Sequence, residues 1–403
     1  MVVQCFRHYF TTNKKQGVTI IKYNILGNTG IKVSEIGLGC EHLVGLQYKE
    51  VKNIVDTAIN SGINFLDIFM AEASVRSNIG NALAGRRKDI VIQGHLGAVI
   101  NNNQPAVSRD LNSVKSFFDD FLTRMKTDYV DIGYLHFVDR LEELQIILDG
   151  SIAKYALSLK KSKVIHLIGL STHNIDVAIT AINSGLIDCL MFPINPAFDL
   201  MPKSQNIFDI FDKEKHAVNN WYTMQVERQK LYDLCLEKEI ALVAMKPLGG
   251  GMLLNKQLSP FQIPLSVQQC IEYCLSNTAV TTAMVGCKNV NEVANLKQYY
   301  NIIKNHTNVF DALASSSFQK DKLNCMYCNH CLPCPQHIDI AAVIKYYDIA
   351  RVSEGKHNYI ANHYFNLKHK ASDCIKCYKC VERCPFGIKI VDYMTNITEF
   401  FGQ

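Results

Sequence analysis

Eight of the 15 cysteines crowd into two short runs near the end of the 403-residue chain, at spacings that suit metal binding. The first run is Cys325, Cys328, Cys331 and Cys334, with two residues between neighbours and Pro335 after the last. The second is Cys374, Cys377, Cys380 and Cys384, with gaps of two, two and three and Pro385 after the last. That second spacing is the one bacterial [4Fe–4S] proteins use. Three thiolates at such intervals wrap one loop around three corners of a cubane. The fourth corner lies beyond that loop's reach and takes a thiolate from the other run. Proline then ends each loop, because it has no N–H and restricts the residue before it.

This logic assigns one cluster to Cys325, Cys328, Cys331 and Cys384, and the other to Cys374, Cys377, Cys380 and Cys334. The first run reaches its last cysteine one residue early, so Cys334 fits the pattern least well. Disulfides are the poorer reading, since C-x2-C groups without a secretory signal do not form an extracellular framework. Zinc is poorer too, because zinc sites draw cysteines in pairs and runs of four ending in Cys-Pro suit them badly. The other seven cysteines are scattered; Cys270 and Cys274, one helical turn apart, read as core.

The preceding three quarters of the chain must position any second site. β-rich runs are predicted at Ile36–Cys40, Asn64–Phe69, Asp89–Leu96, Tyr129–His136, Val164–Ser171, Cys189–Asn195, Ala241–Pro247 and Thr282–Gly286. Eight apolar runs, each followed by an amphipathic stretch, predict an α/β fold: a (β/α)8 TIM barrel. The cysteine runs then form a small C-terminal α-helical domain. A Gly-bounded hairpin over residues 23–33 is expected to plug the barrel floor. Barrel strands aim their C-terminal ends at the active site. At those ends stand Cys40, Glu41, Asp67, His95, His136, Ser171, His173, Asn195, Lys246, Cys287 and Lys288. The loop from Lys246 through Leu248, Gly249 and Gly250, with Gly286 and Lys288 ahead of a helix, lies where barrels often bind phosphate. A sharp turn is its plainer alternative.

Composition narrows the partners. With 48% apolar and 20% charged residues the chain is a packed globular protein and not a disordered one. A net charge of +5, without dense basic runs, argues against a nucleic-acid partner. There is no apolar run of about 18 residues for a membrane span, and no secretory signal, so a cytoplasmic location is expected.

Several segments, in order, resemble the aldo/keto reductase family. They are Leu26-Gly27-Asn28-Thr29-Gly30, Ile36-Gly37-Leu38-Gly39, Asn64-Phe65-Leu66-Asp67, Tyr129-Val130-Asp131-Ile132 leading to His136, Ile168-Gly169-Leu170-Ser171, and Lys246-Pro247-Leu248-Gly249. The tail resembles the two-cluster ferredoxin-type module fused to one branch of that family. The resemblance implies a carbonyl reductase that uses NADPH and a catalytic Asp, Tyr, Lys and His. Asp67 and His136 take the Asp and His positions, while Glu72 stands at the Tyr position and His95 at the Lys position. Met191 replaces the amide-anchoring Gln and Met245 the stacking aromatic. Of the nicotinamide anchors Ser171 remains, and Lys288 stands nearest to the Arg expected at the 2′-phosphate. The fold is implied; the standard mechanism is not.

Glu72, His95 and His136 are therefore the candidate acid–base groups, with Asp67 orienting them. A surface ion pair with Arg76, one turn on, is the alternative for Glu72. A cluster passes one electron where nicotinamide carries two, so FMN rivals NADP(H) as the organic cofactor. Three functions follow: an oxidoreductase on a small molecule fed through the clusters by a ferredoxin- or flavodoxin-type carrier, an NADPH carbonyl reductase with structural clusters, or a non-catalytic electron carrier or redox sensor. The segment Phe198–Gln229, which holds the only tryptophan, Trp221, is expected to form a lid or to dock the cluster module. The expected boundaries are an extension at 1–22, the barrel at 23–303, a linker at 304–322 and the cluster domain at 323–403.

Overall fold

The computed structural model describes residues 21–199, 226–259, 261–299, 309–314, 325, 329, 331–352, 361, 364–384 and 388–402. Trp221 with most of the expected lid, most of the expected linker, the first twenty residues and Cys328 lie outside the described residues.

The strands are β1 (Tyr23–Ile25), β2 (Lys32–Ser34), β3 (Ile36–Gly39), β4 (Phe65–Ile68), β5 (Val91–Leu96), β6 (Ala98–Asn101), β7 (Gln104–Val107), β8 (Val130–Leu135), β9 (Ile165–Ser171), β10 (Cys189–Pro193), β11 (Ala241–Met245) and β12 (Val280–Gly286). Eight of them close into a parallel barrel in the order β3-β4-β5-β8-β9-β10-β11-β12, with β12 pairing back onto β3. All eight predicted runs are strands of this barrel, mostly with trimmed ends.

Side chains alternate across each strand, so every strand serves two cores. Phe65, Val91, Ile132, Tyr134, Leu167 and Met191 point inward and fill the barrel. Their neighbours, such as Leu66 and Ile92, face outward onto the helices. Those helices are α1 (Tyr48–Asn60), α2 (Ala73–Ala82), α3 (Leu111–Met125), α4 (Leu141–Asp149), α5 (Ser151–Lys161), α6 (Ile175–Asn183), α7 (Pro196–Asp199), α8 (Val226–Glu237), α9 (Val267–Ser276) and α10 (Val290–Leu296). Polar caps fix several starts: Asp110 accepts from the Ser113 N–H at 2.8 Å, and Asn174 from the Asp176 N–H at 2.9 Å.

The β1–β2 hairpin closes the floor as expected, with Leu26 and Val33 fully buried in the inner core. Gly27 sits at φ +48°, so near the entry to β11 that a Cβ would fall 2.3 Å from the Glu239 carbonyl oxygen. One element was not foreseen. β6 and β7 form an antiparallel hairpin at the barrel mouth, turning at Asn102 and Asn103 with φ of 50° and 60°. The Asn101-Asn102-Asn103 run was its signal, since asparagine tolerates the left-handed turn that a two-residue hairpin needs.

Beyond the barrel the chain is helical, with helices at Ile340–Val352, Lys379–Arg383 and Ile390–Phe401. The first and last pack through Tyr347, whose ring meets Phe400 edge-on at 5.3 Å. Tyr364 stacks on Phe401 at 4.1 Å. Among the described residues no helix is long and apolar enough to cross a membrane.

Candidate active site

Three of the four predicted catalytic residues meet in one hydrogen-bonded chain at the barrel mouth. Asp67 ends β4, His95 lies near the end of β5 and His136 follows β8, three neighbouring strands of the barrel. His95 Nε2 lies 2.9 Å from Asp67 Oδ1, and His95 Nδ1 lies 2.9 Å from His136 Nδ1. All three residues are buried. Tyr134 stacks beneath His95 at 5.1 Å, and burial pushes its phenol well above the ordinary range. Its hydroxyl pairs with Cys189 Sγ at 3.1 Å. Room for that ring comes from Gly169, where a Cβ would stand 2.5 Å from Tyr134.

The backbone after β8 is held on purpose. Phe137 adopts φ +48°, a left-handed conformation that costs a phenylalanine energy. Arg109 secures it, donating from Nη2 to the carbonyls of His136 at 2.6 Å and Phe137 at 2.9 Å. Ser171 Oγ accepts the Phe137 N–H at 3.0 Å. These contacts fix His136, which lines a cleft of about 2040 Å³.

Glu72 lies apart from the chain, at the N-cap of α2, and lines the same cleft. Its Oε2 is buried and has no hydrogen-bond partner among the described residues. Arg76 makes its hydrogen bonds elsewhere: the buried guanidinium donates to the Met70 and Phe117 carbonyls and pairs with Asp120, while Glu72 reaches it only through charge. The cleft also holds a pair absent from the predicted set. His173 Nδ1 lies 3.1 Å from Asp139 Oδ2, and that carboxylate also accepts the His173 N–H at 2.7 Å and the Thr172 hydroxyl at 3.0 Å. His173 was legible as a strand-end residue; its orienting Asp139, three positions after His136, carried no signal of its own.

The opposite wall of the cleft is the C-terminal unit, through residues such as Leu332, Pro333, His337, Tyr346 and Cys384. The Cys334 N–H donates to Gln104 Oε1 of the mouth hairpin at 3.0 Å. Lys345 also reaches the mouth: burial and then Lys288 push its ammonium below the ordinary range, with Glu41 opposing.

A family model described as "Aldo/keto reductase family" matches residues 35–265. The chain belongs to the aldo/keto reductase family. It is an oxidoreductase. "Uncharacterized oxidoreductase YqkF" of Bacillus subtilis (strain 168) is 27% identical over 237 residues, 58% of this chain and 67% of that protein. "L-galactose dehydrogenase" of Arabidopsis thaliana is 23% identical over 315 residues, 68% of this chain and 87% of that protein. Among solved structures, the holo form of aldo-keto reductase AKR11C1 from Bacillus halodurans superposes with a TM-score of 0.56 at 20% identity. It covers 75% of this chain and 99% of its own. At that identity the likeness shows the barrel fold.

Aldo/keto reductases typically use NADP(H), yet the residues expected to grip it here are engaged elsewhere. Ser171 Oγ is fully buried against the Phe137 N–H. Met191 and Met245 belong to the inner barrel core. In the glycine loop Gly249 N–H donates to the Lys246 carbonyl and Gly251 N–H to Leu248. Gly250 and Gly251 take positive φ, which makes the sharp turn. At the start of α10 the Lys288 N–H donates to Glu292 Oε2 at 2.7 Å, placing a carboxylate where a phosphate would sit. Two of the family's usual NADP(H) contacts are thus replaced by methionines of the inner core.

Of the proposed cluster ligands, Cys334, Cys374, Cys377 and Cys380 line a single apolar cavity beside Ile390 and Met394. Cys331 of the other assigned set lines it too, so the cavity does not separate the two sets. Cys325 and Cys331 are buried. Cys384 faces the barrel cleft. No three His, Cys, Asp or Glu among the described residues gather closely enough to hold a single metal ion. Tetrahedral zinc with Zn–S bonds of about 2.3 Å draws its sulfurs to roughly 3.8 Å apart, whereas a cubane puts each thiolate on a separate iron. Several thiols along one apolar cavity are the donor chemistry that a cubane would need. Cys40 and Cys287 beside the mouth are ordinary buried thiols; burial pushes Cys287 up to about 12, which keeps it protonated and unreactive.

Proposed function

We propose that the protein is an iron–sulfur oxidoreductase that reduces or oxidises a small carbonyl-type substrate at the barrel mouth. The cysteine runs in residues 323–403, behind a linker at 304–322 and a barrel at 23–303, would hold two [4Fe–4S] clusters that relay the electrons. The observation that carries this reading is the Asp67–His95–His136 chain, which puts a proton relay where the family has Asp, Lys and His. When bound, the clusters would supply electrons singly.

The residues' part follows from hydrogen-bond counting. Two facing Nδ1 atoms 2.9 Å apart need one proton between them. With His95 neutral and its proton on Nε2 toward Asp67, His95 Nδ1 accepts from His136. His136 Nε2 is then a base. With His95 protonated and held by the Asp67 carboxylate, His95 Nδ1 donates to His136, and His136 Nε2–H is an acid. Loss of that proton to a substrate oxygen draws the His95 proton across to His136 Nδ1. Asp67 thus orients His95 in its proton-loaded state without touching substrate, and Glu72 on the same cleft is placed to pass the second proton that a two-electron, two-proton carbonyl reduction requires.

Cys384 on the cleft wall and the Cys334–Gln104 bond support electron entry close to this relay. Met191 and Met245, in place of the amide-anchoring Gln and the stacking aromatic, favour the clusters over nicotinamide as the electron source. Anaerobic purification with metal analysis and an absorption spectrum tests the reading. About eight irons per chain without zinc is expected. Zinc, or no metal, overturns it. NADPH oxidation by an aldehyde that survives bleaching of the clusters would make them structural, and a flavin released by acid would assign the electrons differently.

A further inference from the structure

We propose that the outer face of the Cys374–Cys380 loop is the docking surface for a small acidic protein that carries one electron. The inference rests on the cluster reading above and adds where the carrier binds and why it must be acidic.

Residues 375–379 are all exposed, although Cys374 and Cys380 on either side are at least partly buried. Lys376 and Tyr378 hold φ of 55° and 59°, so the backbone bulges outward around Cys377. The Lys376 N–H donates to Cys374 Sγ at 3.4 Å, which ties the bulge to the cavity's sulfurs. Ile375 and Tyr378 are 59% and 54% exposed, an unusual display of apolar surface for a tight loop. Both flank Cys377, the one exposed thiol among those lining the cavity. Ile375 and Cys377 line the cavity and are also exposed, so this apolar spot lies between the cavity and solvent.

Charge decides the partner. Between residues 364 and 384 the chain carries five Lys or Arg against two acidic residues, a surplus of three out of +5 for the whole protein. Arg383 is spent on the Pro333 carbonyl at 2.7 Å, and Asp373 lies 3.6 Å from His369. Lys376 and Lys379 have no ion-pair partner among the described residues, and they bracket Tyr378. An apolar centre with a cationic rim attracts an acidic carrier, steers it electrostatically and repels a basic one. In the step itself the carrier is oxidised by one electron and the cluster reduced by one. No bond forms or breaks.

The test uses the full-length, iron-loaded protein, with iron counted first. A prereduced acidic [2Fe–2S] ferredoxin is mixed with it by stopped flow, and bleaching of the cluster absorbance is followed. The second-order rate is expected to fall at least about tenfold in the double variant Lys376→Glu/Lys379→Glu, and to fall in the wild type as salt is raised. Tyr378→Ala should weaken binding by isothermal titration, and reduction by dithionite should stay unchanged in every variant. Equal ferredoxin rates in wild type and charge-reversed protein, at full iron content, overturn the docking surface and leave the clusters standing. Protein without iron overturns both.

Discussion

Replacing Asp67 by Asn keeps the shape of the relay and removes its charge. Asp67 Oδ1 is 2.9 Å from His95 Nε2, and the two side chains are 9% and 2% exposed, so bulk water does little to screen them. A hydrogen bond to a charged group contributes about 1.5–3 kcal/mol against about 0.5–1.5 for a neutral pair, so the proton-loaded relay loses roughly 1–2 kcal/mol. That corresponds to a fall in kcat/KM of about 5- to 30-fold. His95→Gln breaks the chain outright and should cost about 10²- to 10⁴-fold, the usual worth of general acid–base catalysis. The assay is reduction of a panel of small aldehydes by iron-loaded protein supplied with a low-potential donor, with thermal melting as the control for folding. If Asp67→Asn stays within about twofold of wild type while His95→Gln is inactive, His95 acts alone. If both remain active and folded, the relay is not part of the chemistry.

Four further outcomes are expected. Ser171→Ala removes the acceptor of the half-buried Phe137 N–H and should lower unfolding stability by about 0.5–1.5 kcal/mol in urea titration, which a residue kept for a cofactor would not do in cofactor-free protein. Gly169→Ala drives a methyl into the Tyr134 ring and should cost about 1–3 kcal/mol by the same assay, with activity reduced because Tyr134 supports His95. Asp199→Asn removes the anion that pairs with buried Arg228 at 2.6 Å and accepts the Tyr232 hydroxyl at 2.7 Å, with an expected loss of about 3–5 kcal/mol. Burial pushes Cys235, Cys270 and Cys287 up to about 12 from 9.0. The unfolded chain therefore sheds these protons first, so stability should fall as pH rises from 9 towards 12, and native protein at pH 8 should leave these thiols unlabelled by iodoacetamide.

The barrel was legible because its signal is local and repeated. Each of the eight strands is a short apolar run fixed by its own sequence, and residues at the strand ends must converge once the barrel closes. Asp67, His95 and His136 were found that way. The β6–β7 hairpin was missed because four-residue strands around an asparagine turn look like the tail of β5.

Sequence alone determined the eight-stranded frame and the paired cysteine runs, since periodicity and spacing are properties of the chain, and the resemblance of its segments carried the family. It did not decide which of the strand-end groups touch. Two histidines 41 residues apart share one proton position only because β5 and β8 are neighbours in register, with Tyr134 and Arg109 fixing ring and backbone. Tertiary structure likewise set Ser171 against the Phe137 N–H and brought the cysteine unit over the mouth. Each of these depends on which side chain reaches a given polar group first, and that competition is settled in three dimensions.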